Sequence, residues 1–152
     1  MLQLGDLAPN FTMESDKDGS VSLTDLRGKT VVLYFYPKDD TPGCTTESCA
    51  FRDHYRAFQN QDVQIFGVSC DSIHSHEMFA EKYQLPFPLL SDLDTSVSTA
   101  YGVYKEKTNY GRKYTGIERT TFVIDGDGRI TDIFRNVSVD GHVEEVLAKV
   151  CG

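Results

Sequence analysis

From Val31 to Tyr36 the chain reads Val-Val-Leu-Tyr-Phe-Tyr, with no polar residue until Pro37 and Lys38. A strand with one wet face alternates apolar with polar, so an unbroken run of β-branched and aromatic residues is a strand covered on both faces. Such a strand is expected to sit centrally in its sheet, with a layer above and another below.

The rest of the chain supplies those layers. Val63 to Val68 reads as a second buried strand. Between the two, after a loop from Lys38 to Gly43, positions Cys44, Phe51, Tyr55 and Phe58 fall at i, i+7, i+11 and i+14, one stripe of a single helix that starts close to Cys44. Asp71 or Ser72 can cap a further helix carrying Phe79 and Tyr83, ended by Leu85-Pro86-Phe87-Pro88. Phe11-Thr12-Met13 and Val21-Ser22-Leu23 alternate around the turn Lys17-Asp18-Gly19 and predict an N-terminal β-hairpin. A second hairpin is predicted from Thr120–Ile124, Asp125-Gly126-Asp127-Gly128 and Ile130–Phe134. A last helix follows, with Val143, Val146, Leu147 and Val150 on one face. A short helical piece is expected from Asp94 to Tyr101, and Tyr104 to Gly116 reads as an exposed loop. The expectation is an α/β fold, one domain over residues 1–152, with a mixed central sheet flanked by helices.

At 152 residues with 39% apolar and 11% aromatic content, the chain has enough material for one core. A net charge of −8 with no block of Lys or Arg gives no footprint for nucleic acid or for an anionic membrane surface. The first residues carry no secretory pattern and no stretch approaches membrane-spanning length, so a cytoplasmic protein is expected. In a reducing compartment the four cysteines, Cys44, Cys49, Cys70 and Cys151, point to redox catalysis or metal binding and away from a disulfide framework.

The segment Pro37-Lys38-Asp39-Asp40-Thr41-Pro42-Gly43-Cys44-Thr45-Thr46-Glu47-Ser48-Cys49 decides between these. A cysteine in the first turn of a helix faces unpaired backbone N–H groups and the positive end of the helix dipole, and both favour thiolate, the nucleophilic form. Thr41 offers a hydroxyl that can accept from the thiol or donate to an oxygen bound beside it, and Pro37 can shield the pocket from bulk water. Glu47 can orient the loop, although an acidic residue in a first turn is favourable without any function.

This segment resembles the peroxiredoxin pattern P-x-x-x-T-x-x-C, met by Pro37, Thr41 and Cys44, and Cys49 five positions on resembles the Q-type peroxiredoxins, or bacterioferritin comigratory proteins. The resemblance extends from Gly5-Asp6-Leu7-Ala8-Pro9-Asn10-Phe11 through Gly67-Val68-Ser69 and Phe87-Pro88-Leu89-Leu90-Ser91-Asp92 to Glu118-Arg119-Thr120-Thr121-Phe122-Val123-Ile124-Asp125. It implies a thioredoxin-like fold and a thiol peroxidase that reduces hydrogen peroxide and organic hydroperoxides. Cys44 would be the peroxidatic nucleophile, Cys49 the resolving thiol, and Arg119 a cation beside the nucleophile that polarises the peroxide. It also implies thioredoxin as the dithiol reductant, no bound cofactor, and a monomer or weak dimer.

The rival readings are a disulfide oxidoreductase, which would want C-x-x-C where this chain has a spacing of five, and a redox sensor on the same fold. Cys70 is expected to be buried filler and Cys151 a loose terminal thiol. His54, His74, His76 and His142 lack metal-ligand spacing with the cysteines, so no metal site is expected. Asp125-Gly126-Asp127-Gly128 lacks the closing Glu of a calcium loop.

Overall fold

The structure is a computed structural model that describes residues 1–17 and 19–151. Asp18, in the predicted N-terminal turn, lies outside the described residues. In chain order the elements are β1 (Thr12–Ser15), β2 (Ser20–Ser22), β3 (Thr30–Phe35), α1 (Pro42–Asp53), α2 (Tyr55–Asn60), β4 (Val63–Ser69), α3 (Ile73–Tyr83), β5 (Leu89–Ser91), α4 (Ser96–Ala100), β6 (Tyr104–Asn109), β7 (Arg112–Ile117), β8 (Thr120–Ile124), β9 (Ile130–Phe134) and α5 (His142–Cys151).

Seven strands form one mixed sheet in the order β2-β1-β5-β4-β3-β8-β9, in which β3, β4 and β5 are parallel and β8 runs antiparallel to β3. The apolar run places β3 well inside this sheet, as its composition requires. Its side chains alternate between two cores. Val31, Leu33 and Phe35 join Phe11, Phe66, Tyr101 and Phe122 on one side, whereas Val32, Tyr34 and Tyr36 join Phe51, Phe58, Phe79, Phe87, Val143 and Val146 on the other. Cys44 belongs to the second core, under the helices. Tyr34 stacks on Phe51 with ring centroids 4.6 Å apart and its hydroxyl is 2.8 Å from Ser48 Oγ, so α1 is fixed to the sheet through β3. Each such fully buried side chain contributes roughly 1.5–3 kcal/mol.

Two expectations need correction. The stripe Cys44, Phe51, Tyr55, Phe58 does not lie on one helix, because α1 ends at Asp53 and α2 starts at Tyr55. His54 between them leaves helical geometry at φ −102°, ψ 7°, and its Nδ1 lies 2.9 Å from the Ala50 carbonyl oxygen. Apolar periodicity survives a one-residue break, since Phe51 and Phe58 remain fully buried on either side of it. The stretch Tyr104 to Gly116 is not a loop but most of the β6–β7 hairpin, paired from Tyr104↔Ile117 to Asn109↔Arg112. Its residues are mostly polar and, apart from Ile117, exposed or only partly buried, so no alternating pattern advertised it. The short strand β5, hidden in the Pro-flanked segment after α3, was also missed.

The capping expectation for α3 resolves to Ser72, whose side chain accepts from Ser75 N at 3.1 Å. In the second predicted hairpin, Asp125 Oδ1 accepts from the backbone N–H of Asp127 and of Arg129, 2.9 Å each, which makes this acid a turn former. Cys70 is only partly buried, at the edge of the first core, where burial pushes its thiol up; Cys151 is exposed. Among the described residues no helix is long and apolar enough to cross a membrane.

Candidate active site

β3 ends at Phe35, Pro37 stops its ladder, and the chain turns through residues 38–40, with Asp40 in the left-handed region at φ 57°. Thr41 is the N-cap of α1 in extended geometry and Pro42 takes the first helical position, where its missing N–H costs nothing. Cys44 therefore lies in the first turn, as the sequence predicted, with 1% of its surface exposed.

Arg119, between β7 and β8, reaches this turn from the other side of the site. Its Nη2 donates to Cys44 Sγ at 3.2 Å and its Nη1 to Glu47 Oε1 at 2.7 Å. One guanidinium thus spans two residues a helical turn apart, and its planar fork keeps both directions fixed. Gly43 leaves room for this approach, since a Cβ there would stand 3.1 Å from Arg119 Nη2 and the guanidinium would have to give way by a few tenths of an ångström.

Of the two modes expected for Thr41, the geometry leaves the accepting one open. Its hydroxyl donates to the Lys38 carbonyl oxygen at 2.8 Å, so the hydrogen is committed within the loop and the oxygen lone pairs remain as acceptors. Pro37 and Arg119 line one cleft of about 500 Å³, and Lys107, Thr108 and Tyr114 of the β6–β7 hairpin form its outer wall. The sequence missed these wall residues together with the hairpin that carries them. Cys49 is half-buried on α1, and burial pushes its thiol up, so in this fold it is held as the protonated form more than an open cysteine would be. All four cysteines are free thiols.

Glu47 is fully buried, and its Oε2 has no hydrogen-bond partner among the described residues. The nearest candidate, His142 Nε2, is 3.9 Å away and instead lies 2.8 Å from Thr121 Oγ1. Burial, and then the charge of Arg119, push His142 down to about 4, so it is neutral at pH 7 and cannot serve as a counter-charge. Burial likewise pushes the Glu47 carboxyl up to about 7, against the pull of Arg119. The folded state then holds a proton that the unfolded state has released between the ordinary value of 4.5 and about 7, and stability falls as pH rises through that window. Glu47→Gln, whose amide oxygen can still accept from Arg119, is expected to flatten this slope. Urea unfolding at pH 5 and pH 7.5 checks it; an unchanged slope would detach Glu47 from the pH dependence.

The AhpC/TSA family matches residues 4–133 of the chain. The chain belongs to the AhpC/TSA family. A Coxiella burnetii relative is 50% identical over 149 residues, 98% of this chain and 99% of its own. Peroxiredoxin Bcp of Bacillus subtilis is 48% identical over 146 residues, 96% and 93% of the two chains. The crystal structure of a Xylella fastidiosa PrxQ mutant superposes with a TM-score of 0.94 at 39% identity, covering 99% of this chain and 96% of that one. The Xanthomonas campestris bacterioferritin comigratory protein, studied for alkyl peroxide reduction, gives 0.91 at 38% with the same coverage. Within AhpC/TSA the chain falls among the Bcp and Q-type peroxiredoxins, which are peroxidases, and its mixed sheet flanked by helices is the thioredoxin-like fold that the resemblance implied.

Proposed function

We propose that this chain reduces hydrogen peroxide and organic hydroperoxides by thiol chemistry at Cys44. The observation that carries the reading is the 3.2 Å contact from Arg119 Nη2 to Cys44 Sγ in the first turn of a helix. The thiolate attacks the terminal peroxide oxygen, the O–O bond breaks, and water or an alcohol leaves once a proton has been supplied, with a sulfenic acid remaining on Cys44. Arg119 is held where negative charge develops on the peroxide oxygens. Pro37 lines the same cleft as Arg119. Cys49 condenses with the sulfenic acid to a Cys44–Cys49 disulfide and releases water, and a dithiol reductant of the thioredoxin type restores both thiols by exchange through a mixed disulfide. No bound cofactor enters this cycle.

Thr41 accepts the hydrogen of the incoming hydroperoxide, because its own hydrogen is already given to Lys38. Thr41→Val keeps the shape and deletes the acceptor, and a loss on the order of 10²-fold in the second-order rate is expected. A rate within a factor of two of wild type would remove Thr41 from the site.

The test of the whole reading is steady-state turnover with hydrogen peroxide and an organic hydroperoxide, coupled to a thioredoxin system, with Cys44→Ser as the control. Sustained turnover supports it. A single oxidation with no turnover under any dithiol would favour the redox-sensor reading instead.

A further inference from the structure

The loop that presents Cys44 is held from its far side by a buried ion pair that the reaction scheme does not use. His76 on α3 is fully buried. Its Nδ1 lies 2.7 Å from Asp39 Oδ2 and its Nε2 lies 2.9 Å from the Leu90 carbonyl oxygen. Asp39 acts as an acceptor throughout, since Oδ1 also takes the Tyr36 hydroxyl at 2.5 Å and Oδ2 the Ser75 hydroxyl at 2.8 Å. With acceptors on both ring nitrogens, the imidazole carries a hydrogen on each and is cationic. Burial opposes that charge, but the hydrogen bond and charge of Asp39, with smaller help from the Leu90 carbonyl and Asp71, outweigh it and hold His76 above its ordinary value. The charged groups facing the ring are Asp39 from the loop and Asp71 from the turn between β4 and α3, and Tyr36 beyond β3 is its titratable aromatic neighbour.

The backbone of the loop is gripped as well. Asp39 N donates to Asp71 Oδ2 at 2.8 Å, and the same oxygen takes the Ser69 hydroxyl at 2.6 Å. The next residue, Asp40, accepts from Lys82 and Tyr83 of α3, 2.8 Å each. The facing atoms of Asp39, Asp71 and His76 lie within 4.8 Å of one another, a spacing that could suit a metal ion, but these hydrogen bonds already occupy them. Two residues beyond Asp39 stands Thr41, and five beyond stands Cys44.

We propose that His76 and Asp39 are positioning residues, a buried imidazolium–carboxylate latch that clamps the loop of residues 36–41 onto α3 and thereby sets Thr41 and Cys44 against Arg119. The proposal rests on the reading of Cys44 as the nucleophile. A displacement of about 1 Å in a reacting group can cost on the order of 10²-fold in rate, so a latch remote from the thiol can still govern the chemistry.

The experiment compares Asp39→Asn, His76→Leu, their double variant and Tyr36→Phe with wild type in three measurements. These are the second-order rate of Cys44 oxidation by hydrogen peroxide in stopped flow, the rate of Cys44 alkylation by iodoacetamide, and near-UV circular dichroism. Alkylation reports thiolate without needing Thr41 and Arg119 to converge on a peroxide. Each single latch variant is expected to lose roughly 10- to 100-fold in peroxide rate, with alkylation within about threefold of wild type. The double variant should lose no more than the worse single, because the pair acts as one unit. Tyr36→Phe, which keeps the ring and removes one hydrogen bond, should lose a few-fold. Nitrogen-15 spectra of the wild-type imidazole at pH 7 should show both His76 nitrogens protonated. Peroxide and alkylation rates that fall together with loss of the near-UV signal, while Tyr36→Phe keeps the wild-type rate, would overturn the positioning role, as would wild-type peroxide rates in the latch variants. A wild-type protein that consumes no peroxide would instead sink the reading of Cys44, and this proposal with it.

Discussion

Arg119→Met is expected to slow peroxide reduction by on the order of 10³-fold, the upper range for loss of one preorganised donor. The size follows from the two bonds that the guanidinium makes at once. Toward Cys44 it is a fixed positive partner of Sγ at 3.2 Å, and in the proposed reaction it would face the oxygen that gathers charge when the O–O bond breaks. Toward Glu47 it is the compensation for a carboxylate with no other bonded partner among the described residues. Met fills much of the same volume, and Glu47, already pushed up to about 7 by burial, answers the loss of its cation by taking a proton. The fold is therefore expected to survive, so the deficit is chemical. Stopped-flow oxidation by hydrogen peroxide measures it, and a loss below tenfold would mean that Arg119 is not the electrophilic partner. Arg119→Lys is expected to recover only part of the rate, because one ammonium cannot hold Sγ and Oε1 in two fixed directions.

How much of this was open to a reader of the sequence depended on the kind of signal each residue sends. Val31 to Tyr36 announced a buried strand because burial on both faces removes polar residues altogether, and the structure alternates those same side chains between two cores. Cys44 at a helix start was legible from the turn residues before it and the apolar stripe after it. The break at His54 was not, since periodicity reports a face and not the continuity of the backbone. The β6–β7 hairpin was illegible for the opposite reason, because a ribbon exposed on both faces has no apolar alternation to show. The pairing of His76 with Asp39 was illegible for a third reason. Their pairing is 37 residues apart in sequence, and a lone histidine on a helix carries no sign of a partner that topology alone brings to 2.7 Å.

Cys49→Ser is expected to abolish turnover with a dithiol reductant while leaving the first oxidation of Cys44 intact, and the reason lies in helix geometry. Both cysteines sit in α1. Five residues along a regular helix rise about 7.5 Å and turn about 140° around the axis, which sets the two Cα atoms roughly 8.5–9 Å apart on different faces. A disulfide needs about 4.4–6.8 Å with converging Cβ vectors, so the bond cannot form in the intact helix. The first turns of α1 must unwind. Phe51, stacked on Tyr34 and fully buried, and the break at His54 confine that unwinding to the segment before Phe51, so α2 need not move with it. The same opening would lift Cys49 out of the partial burial that pushes its thiol up, so the thiolate of the proposed resolving step would become available. Hydrogen exchange on the oxidised protein should show amides 45–50 losing protection while those of α2 keep theirs. Cys49→Ser should keep the helix protected and accumulate a sulfenic acid on Cys44, detectable by dimedone labelling. Peptide mapping that found Cys44 joined to Cys70, to Cys151 or to a second chain would refute this mechanism.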